Sequence, residues 1–352
     1  MAKIIPFRGV LYNKDKVGDL NMVMAPPYDV IESDELKTLY KKSIYNIIHI
    51  DLGEKYSSDN DSDNRYTRAS ALIEQWLKEG ILIRDDTPSI YVYEMEYFIN
   101  NERKLLSGFI PLVRLEEYSS GIILPHENTL PDHKSDRYNL LKACRSNISL
   151  IFSFYSSPEK IASQIIDDVR GKLPPIIEVS DRDNTIHRLW GIHEQKDINE
   201  IIREIEKRRI YIADGHHRYE TALEFSKKMR NIYDDNKDAP YNWVAMFLTN
   251  IDNGDPTILP PHRLLRLENG IEIEKVLEEN FDIRRLSSTG ENEYLKMKEL
   301  FEKMNSHRDD YAFGIFIRGR NEYLLIVLKN QDILRGRDLV ERLDVSVLQE
   351  LV

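Results

Sequence analysis

The chain has 352 residues and a formal net charge of −11, with 60 acidic side chains against 49 lysines and arginines. This negative balance argues against nucleic acid as the default partner, because proteins that bind it usually present clustered positive charge. Cys144 is the single cysteine, which excludes an internal disulfide and a cysteine-cluster metal site. The sequence contains neither an apolar run of membrane-helix length nor a signal peptide, so we expect a cytoplasmic protein.

Short strands and helices are intermixed along the first half of the chain. The spacing of apolar residues predicts strands at 4–8 and 46–50, helices at 33–42 and 65–79, a β-hairpin at 91–115, a helix through Arg145, helices at 158–170 and 195–208, and a hairpin at 176–191. Gly80 directly follows one of these helices, at a position where glycine is favoured because the backbone often turns left-handed there.

The second half continues this pattern. The predicted elements are a strand at 209–213, a helix to about Met229, a strand at 243–250, a helix at 272–280, a strand at 282–286, a helix at 291–304, a hairpin at 311–328 and an amphipathic helix at 338–352. Hairpins combined with helices predict the α+β class, with mixed sheets and flanking helices. We divide the chain into an N-terminal α/β region at 1–130, a core at 131–268 and a C-terminal α/β region at 269–352.

The most informative segment is 212–222, in which an apolar strand passes through an Asp-Gly pair into a helix. Asp214 is predicted to cap this helix, and Gly215 allows a tight backbone turn. The N–H groups at a helix start attract anions, and the guanidinium of Arg218 matches phosphate oxygens. The segment therefore predicts an anion site.

The same helix carries a candidate acid–base pair. His216 and Glu220 are four residues apart, so they are predicted to share one helix face, where Glu220 would orient the imidazole. The alternative is a capped helix with ordinary surface histidine and arginine residues.

A second basic segment lies upstream. Residues 133–145 hold four lysines or arginines against one aspartate, and Arg137 and Arg145 are predicted to project from one helix face. Two arginines on one helix face suit a phosphorylated ligand, because guanidinium groups match the oxygens of a phosphate. A solvated helix face, paired with acidic residues elsewhere, is the alternative.

The loop before this helix, 125–129, contains His126 next to Glu127. A loop has no structural need for this pair, so it is a candidate for proton transfer in catalysis.

Two proline-containing segments are further candidates. In 258–265, a Pro-Pro pair precedes His262 and Arg263, which are predicted to lie at the start of a strand, in a rigid position for ligand contact. In 25–30, Tyr28 could reach a pocket from a proline-stiffened loop, although a rigid structural turn explains this segment equally well.

Metal binding is not the preferred interpretation. His216 and His217 are neighbours, and neighbouring side chains on a helix point about 100° apart. Mg²⁺ that accompanies a nucleotide is compatible with Glu127 or Glu220 as a ligand. Cys144 is predicted to be a buried thiol rather than a nucleophile. The sequence has no P-loop, dinucleotide-binding glycine motif or serine-hydrolase motif.

Several segments, in order along almost the whole chain, carry a family resemblance. They are 25–31, 46–49, 108–115, 125–129, 213–219 and 259–263. Through them the chain resembles the uncharacterised bacterial and archaeal family called domain of unknown function 1015. Members of that family commonly continue beyond a helix like 338–352, which would make the C-terminal region a truncated form.

The segment 214–218 is also similar to the phosphate-binding turn of the ParB/sulfiredoxin superfamily, whose characterised members hydrolyse CTP, use ATP to repair sulfinic acid or phosphorylate free serine. By this resemblance the fold would contain a ParB/sulfiredoxin-like nucleotide-binding core with additional α/β elements. Gly215, His217 and Arg218 would contact phosphate, with His216 nearby. The chain departs from the superfamily because no helix-turn-helix follows the turn and no equivalent of the sulfiredoxin cysteine can be assigned.

The leading hypothesis is an enzyme that binds a nucleotide (ATP, ADP or CTP) and transfers or cleaves a phosphoryl group, with a small metabolite such as free serine as acceptor. Glu127 or His126 would take the proton from the acceptor, and Arg218, Arg137 and Arg145 would neutralise the developing charge. The expected partner is a small phosphorylated ligand, and we expect neither a nucleic acid nor a membrane partner. The oligomeric state stays open.

Two alternatives belong to other classes. One is a nucleotide-gated binding switch of the partition-protein type without a DNA-binding domain. The other is a metal-dependent hydrolase that uses His126, Glu127, His216 and His262. A loop at His126 within hydrogen-bonding reach of the turn at 216–218 would favour the phosphoryl-transfer enzyme.

Overall fold

The computed structural model describes residues 1–99, 101–126, 131–233, 236–254, 256–257, 262–266, 273–288, 292–307, 309–320, 322–337 and 342–351. The chain divides into two compact units, Met1–Thr257 and Ile258–Val352. Strands from the regions 1–130 and 131–268 belong to one sheet in the first unit. Within the described residues, no helix is long and apolar enough to span a membrane.

The first unit is built on a mixed sheet, which has ten strands in the described part of the chain. The strands of this unit are β1 (Ile4–Ile5), β2 (Val10–Tyr12), β3 (Leu82–Arg84), β4 (Ile90–Ile99), β5 (Glu102–Ile110), β6 (Leu112–Arg114), β7 (Ile123–Leu124), β8 (Ile151–Tyr155), β9 (Ile177–Ser180), β10 (Ile186–Ile192), β11 (Ile210–Asp214) and β12 (Trp243–Asn250). Their order is β7-β11-β8-β12-β5-β4-β10-β9, with β6 also on β12, β1 on β6, and β2 paired separately with β3. Only the β7–β11 and β8–β12 pairs are parallel among those described.

The first unit also contains helices. They are α1 (Lys14–Val17), α2 (Ser33–Lys42), α3 (Ile48–Asp51), α4 (Arg65–Glu79), α5 (Pro131–Cys144), α6 (Ile161–Lys172), α7 (Gln195–Ile205) and α8 (His216–Tyr233). Of these, α6, α7 and α8 contact strands of the sheet, whereas α3, α4 and α5 contribute to a second core. On α7, the isoleucines Ile198, Ile201 and Ile205 follow helical spacing, and all three are buried in the main core. Tyr219 of α8 and Ile212 of β11 belong to the same core, so the turn between these two elements is held at both sides.

The second unit has its own small sheet and core. Its elements are α9 (Ile273–Asn280), β13 (Phe281–Ser287), α10 (Glu293–Asn305), β14 (Ala312–Phe316), β15 (Glu322–Leu328) and α11 (Asp344–Leu351). The antiparallel strands have the order β13-β15-β14. Leu277, Phe281, Ile326 and Val347 are buried together. Of the helix predicted at 338–352, the structure contains α11 from Asp344 to Leu351, and residues 338–341 and 352 lie outside the described residues.

The structure confirms the α+β class, both hairpins of the first unit and the helices at 33–42 and 65–79. The ends of α4 show why local sequence was sufficient there. Asn64 Oδ1 accepts a hydrogen bond from the backbone N–H of Thr67, while Thr67 Oγ1 accepts one from the backbone N–H of Asn64. Gly80 has a φ of 72°, so it ends the helix in the left-handed conformation as predicted.

The strand predicted at 46–50 is wrong, because α3 occupies most of this segment. Asn46 is fully buried, and its Oδ1 accepts a hydrogen bond from the backbone N–H of Ile48 at 3.0 Å. Its Nδ2 donates to the carbonyls of Met22 and Met24. The asparagine thus fixes a helical turn through long-range contacts, although the alternation of apolar residues is typical of a strand.

Candidate functional site

The turn between β11 and α8 is the centre of the candidate site. β11 ends at Asp214, Gly215 has a φ of 96°, and α8 begins at His216. Any other residue at position 215 would be strained at this φ, and its Cβ would lie 3.0 Å from Nε of Arg218. Glycine is therefore required by the backbone conformation and by the arginine that packs against it.

Arg218 is held across this turn by two acceptors. Its Nη2 donates to the carboxylate of Asp214, and its Nη1 donates to the carbonyl of Leu150. Asp214 is not the cap residue that the sequence predicted, because Gly215 lies between it and the first residue of α8. The aspartate instead orients the guanidinium that we expected to bind phosphate.

The loop that contains His126 reaches the start of α8. The backbone N–H of His126 donates to Nε2 of His216 at 3.2 Å, and the two rings meet edge to face with centroids 4.5 Å apart. Nδ1 of His126 lies 2.8 Å from the carbonyl of Ile212. Because a carbonyl only accepts, Nδ1 carries the proton, and the lone pair of the neutral ring is on Nε2. His216 is buried whereas His126 is exposed, so His126 presents the accessible base nitrogen.

His217 and Glu220 lie on the same helix as His216. Both are half-buried in α8, and Glu220 follows His216 by one turn, as the spacing predicted. A contact of His217 with phosphate and an orienting role for Glu220 stay predictions.

Arg137 of α5 is a second cation near this site. Its side chain is 6% exposed, its Nη1 is 2.7 Å from Oδ1 of Asp51, and its Nε donates to Asp136 at 2.9 Å. The ring centroid of Tyr28 lies 3.9 Å from the guanidinium carbon, a cation–π contact. Burial raises the pKa of the Tyr28 hydroxyl, and the charges of Arg137 and Arg218 oppose this effect. The proline-stiffened loop therefore places Tyr28 at the basic site.

Arg137 and Arg218 both line a cleft of about 50 Å³ between α5 and α8. Asp51, Ser149 and Thr221 also line it. The sequence interpretation did not single out these three residues. Asp51 and Ser149 belong to no charged or glycine-containing motif, and Thr221 lies in the segment 212–222 without a charge or an acid–base group of its own. The only signal for Asp51 was its place directly after the segment 46–50, which was assigned to a strand.

Arg145 is not among the residues that line this cleft. Arg145 is exposed with a φ of 49° and follows the last residue of α5, so it does not share a helix stripe with Arg137. Glu127 lies outside the described residues. His262 and Arg263 belong to the second unit, where they are exposed and not in a strand.

The remaining candidates are the thiol of Cys144 and a metal site. Cys144 was predicted to be buried and is half-buried; partial burial raises the pKa of its thiol to about 11, so this cysteine stays protonated at neutral pH. Among the described residues, no group of three or more His, Cys, Asp or Glu side chains is arranged to hold a metal ion.

The glycine turn leads into α8, and Arg137 of α5 and Arg218 of α8 line one cleft. The fold and the turn define an α+β protein with a large mixed sheet. Its sequence matches the model of the family described as protein of unknown function DUF1015 over residues 4–346, and the chain belongs to that family. No curated protein and no solved structure matches it.

Proposed function

We propose that the chain is an enzyme that binds a nucleotide or another phosphorylated ligand at the start of α8 and transfers or cleaves a phosphoryl group. One contact carries the proposal, the hydrogen bond from the backbone N–H of His126 to Nε2 of His216. It joins the loop predicted to hold the acid–base group to the turn predicted to bind phosphate. Positioning of a base beside an anion site is what phosphoryl transfer requires of a protein.

The start of α8 offers positive potential for the phosphate. The helix is 18 residues long, and the aligned peptide dipoles of such a helix place roughly half a positive charge at its first turn. Arg218 lies within that turn and adds a full charge. Its contact with Asp214 is near the surface, where the carboxylate is 62% exposed, so a phosphate could replace this carboxylate at modest cost.

His126 is the candidate general base. In the proposed step, Nε2 of His126 takes the proton from the acceptor hydroxyl or from water. The acceptor oxygen bonds to phosphorus, and the bond from phosphorus to the leaving oxygen of the nucleotide breaks. Arg218 and Arg137 neutralise the charge that develops on the phosphoryl oxygens.

ATP, ADP and CTP with Mg²⁺ are the donors to test first, and free serine is the first acceptor. These choices follow from the similarity of 214–218 to the ParB/sulfiredoxin turn. A ParB/sulfiredoxin-like nucleotide-binding core is therefore part of the proposal.

Phosphorus NMR of the purified chain tests this function. We expect a new phosphomonoester or free-phosphate signal when a nucleotide, Mg²⁺ and the acceptor are added. Arg218→Ala should lower this turnover by about 10²-fold or more, because one donor to the developing charge is lost. Arg203→Ala is the control, since Arg203 is an exposed arginine on α7, and circular dichroism verifies that both variants are folded.

The other possible results of the phosphorus NMR experiment contradict the proposal or favour an alternative. Turnover that persists in Arg218→Ala contradicts the role of the turn. Nucleotide signals that broaden without turnover support the nucleotide-gated switch instead. Unchanged signals with all three nucleotides contradict nucleotide binding altogether.

A further inference from the structure

The cleft between α5 and α8 is lined by a threonine with an unsatisfied hydroxyl group. Thr221 is 2% exposed, and its Oγ1 is buried without a hydrogen-bond partner among the described residues. A buried hydroxyl without a partner is destabilising, and native proteins rarely retain one without a reason. A bound ligand that accepts this hydrogen bond would be such a reason.

The lining of the cleft carries net positive charge. Arg137 and Arg218 contribute two cations and Asp51 one anion, whereas the carboxylates Asp136 and Asp214, which also pair with these arginines, do not line the cleft. Arg218 makes one hydrogen bond from each terminal nitrogen to described residues. A guanidinium has further N–H groups to donate. The lining itself has a net charge of +1, and Arg218 has N–H groups left to donate, so the lining favours an anion over a neutral group.

The size of the cleft limits this anion. A volume of about 50 Å³ is a few times the roughly 10–15 Å³ that one water needs, so it holds a single small group but no nucleoside base. We propose that the cleft is a subsite for one anionic group, a carboxylate or a phosphate, held by Thr221 Oγ1 together with Arg137 and Arg218. The inference rests on the proposed function, because the subsite would hold an anionic group of the ligand that reacts at the start of α8.

Thr221→Val separates ligand binding from a structural role. Valine keeps the shape of threonine and removes the hydroxyl. The unliganded protein should become more stable, because the unsatisfied group is gone, while its affinity for the anion should fall about tenfold or more. A merely structural hydroxyl would give a loss of stability and no change in affinity.

Thr249→Val is the matched control. Thr249 lies in β12, is fully buried, and has an Oγ1 that is likewise without a partner among the described residues. It does not line the cleft. Its valine variant should also gain stability, with unchanged anion affinity.

Isothermal titration calorimetry of the full chain, at constant ionic strength and without nucleotide, provides the measurement. Inorganic phosphate and glycolate serve as probes. Tighter binding of phosphate identifies a phosphate subsite, and tighter binding of glycolate identifies a carboxylate subsite. Absence of binding of both anions to the wild type overturns the proposal, as does equal affinity of the wild type and Thr221→Val.

The two proposals fail in different ways. Anion binding that depends on Thr221 but is accompanied by no nucleotide turnover contradicts the enzyme and retains the subsite. Nucleotide turnover with anion affinity that is insensitive to Thr221 contradicts the subsite alone.

Discussion

At His126, the backbone and the side chain have separate roles. The backbone N–H donates to His216 and holds the loop, while Nδ1 of the side chain donates to the carbonyl of Ile212 and sets the tautomer. A substitution can therefore remove the base nitrogen Nε2 and leave the loop anchored.

We expect His126→Asn to lower turnover roughly 10²- to 10⁴-fold with little change in nucleotide affinity. The asparagine amide can still donate to the carbonyl of Ile212, but it has no basic nitrogen. Steady-state kinetics should show the loss in kcat and an almost constant KM. His307→Asn, in the second unit, is the control and should behave as wild type. A His126→Asn variant with the wild-type kcat would exclude His126 as the base.

At the scale of the elements, helix ends depend on backbone conformation at single residues. Gly80 follows α4 with a φ of 72°, whereas Gly171 lies in the last turn of α6 without a positive φ. A Cβ added at either glycine meets no atom within 4 Å. The two sites therefore differ in backbone strain and not in packing.

Alanine at these two glycines should change stability in opposite directions. Gly80→Ala should lower the free energy of unfolding by about 1 kcal/mol, because alanine resists the left-handed region. Gly171→Ala should raise it by about 0.5 kcal/mol, because alanine restricts the unfolded chain and favours the helix. Urea unfolding measures both changes, and a loss of stability in both variants would contradict this explanation.

Elements with local signals were predictable from sequence, and long-range contacts were not. The ends of α4 have a cap and a glycine in the sequence itself, so α4 was predicted with its observed bounds. The helix α3 depends on Asn46, whose side chain bonds to backbone far away in sequence. The site shows the same division. The turn at Gly215 is a local motif, and Thr221 follows it on the same helix, α8, whereas Asp51 joins the site only through packing of a distant segment.

At the scale of the whole molecule, an ion-pair network joins four neighbouring strands of the large sheet, β5, β4, β10 and β9. Glu96 of β4 pairs with Arg103 of β5 and with Arg188 of β10, each at 2.8 Å. Arg188 also pairs with Glu94 of β4 and Glu178 of β9. The hydrogen bonds from Arg103 and Arg188 lower the pKa of Glu96 to about 2. The folded state therefore favours the ionised carboxylate more strongly than the unfolded state does.

This difference predicts how acid destabilises the first unit. Because the pKa of Glu96 is below its ordinary value of 4.5, the stabilisation is complete above about pH 4.5 and is lost as the pH falls towards 2. Glu96→Gln should be less stable at neutral pH and should lose less stability over that interval. Urea unfolding followed by tryptophan fluorescence reports this unit, since Trp76, Trp190 and Trp243 all lie within it.

The charge change itself needs a control. Glu74→Gln removes the same charge from the exposed surface of α4 and should keep the wild-type dependence on pH. If Glu96→Gln had the same dependence as wild type, Arg103 and Arg188 would not hold the carboxylate ionised in solution. A smaller loss of stability in Glu96→Gln alone would instead show that one carboxylate, which joins three neighbouring strands, contributes to the acid sensitivity of the first unit.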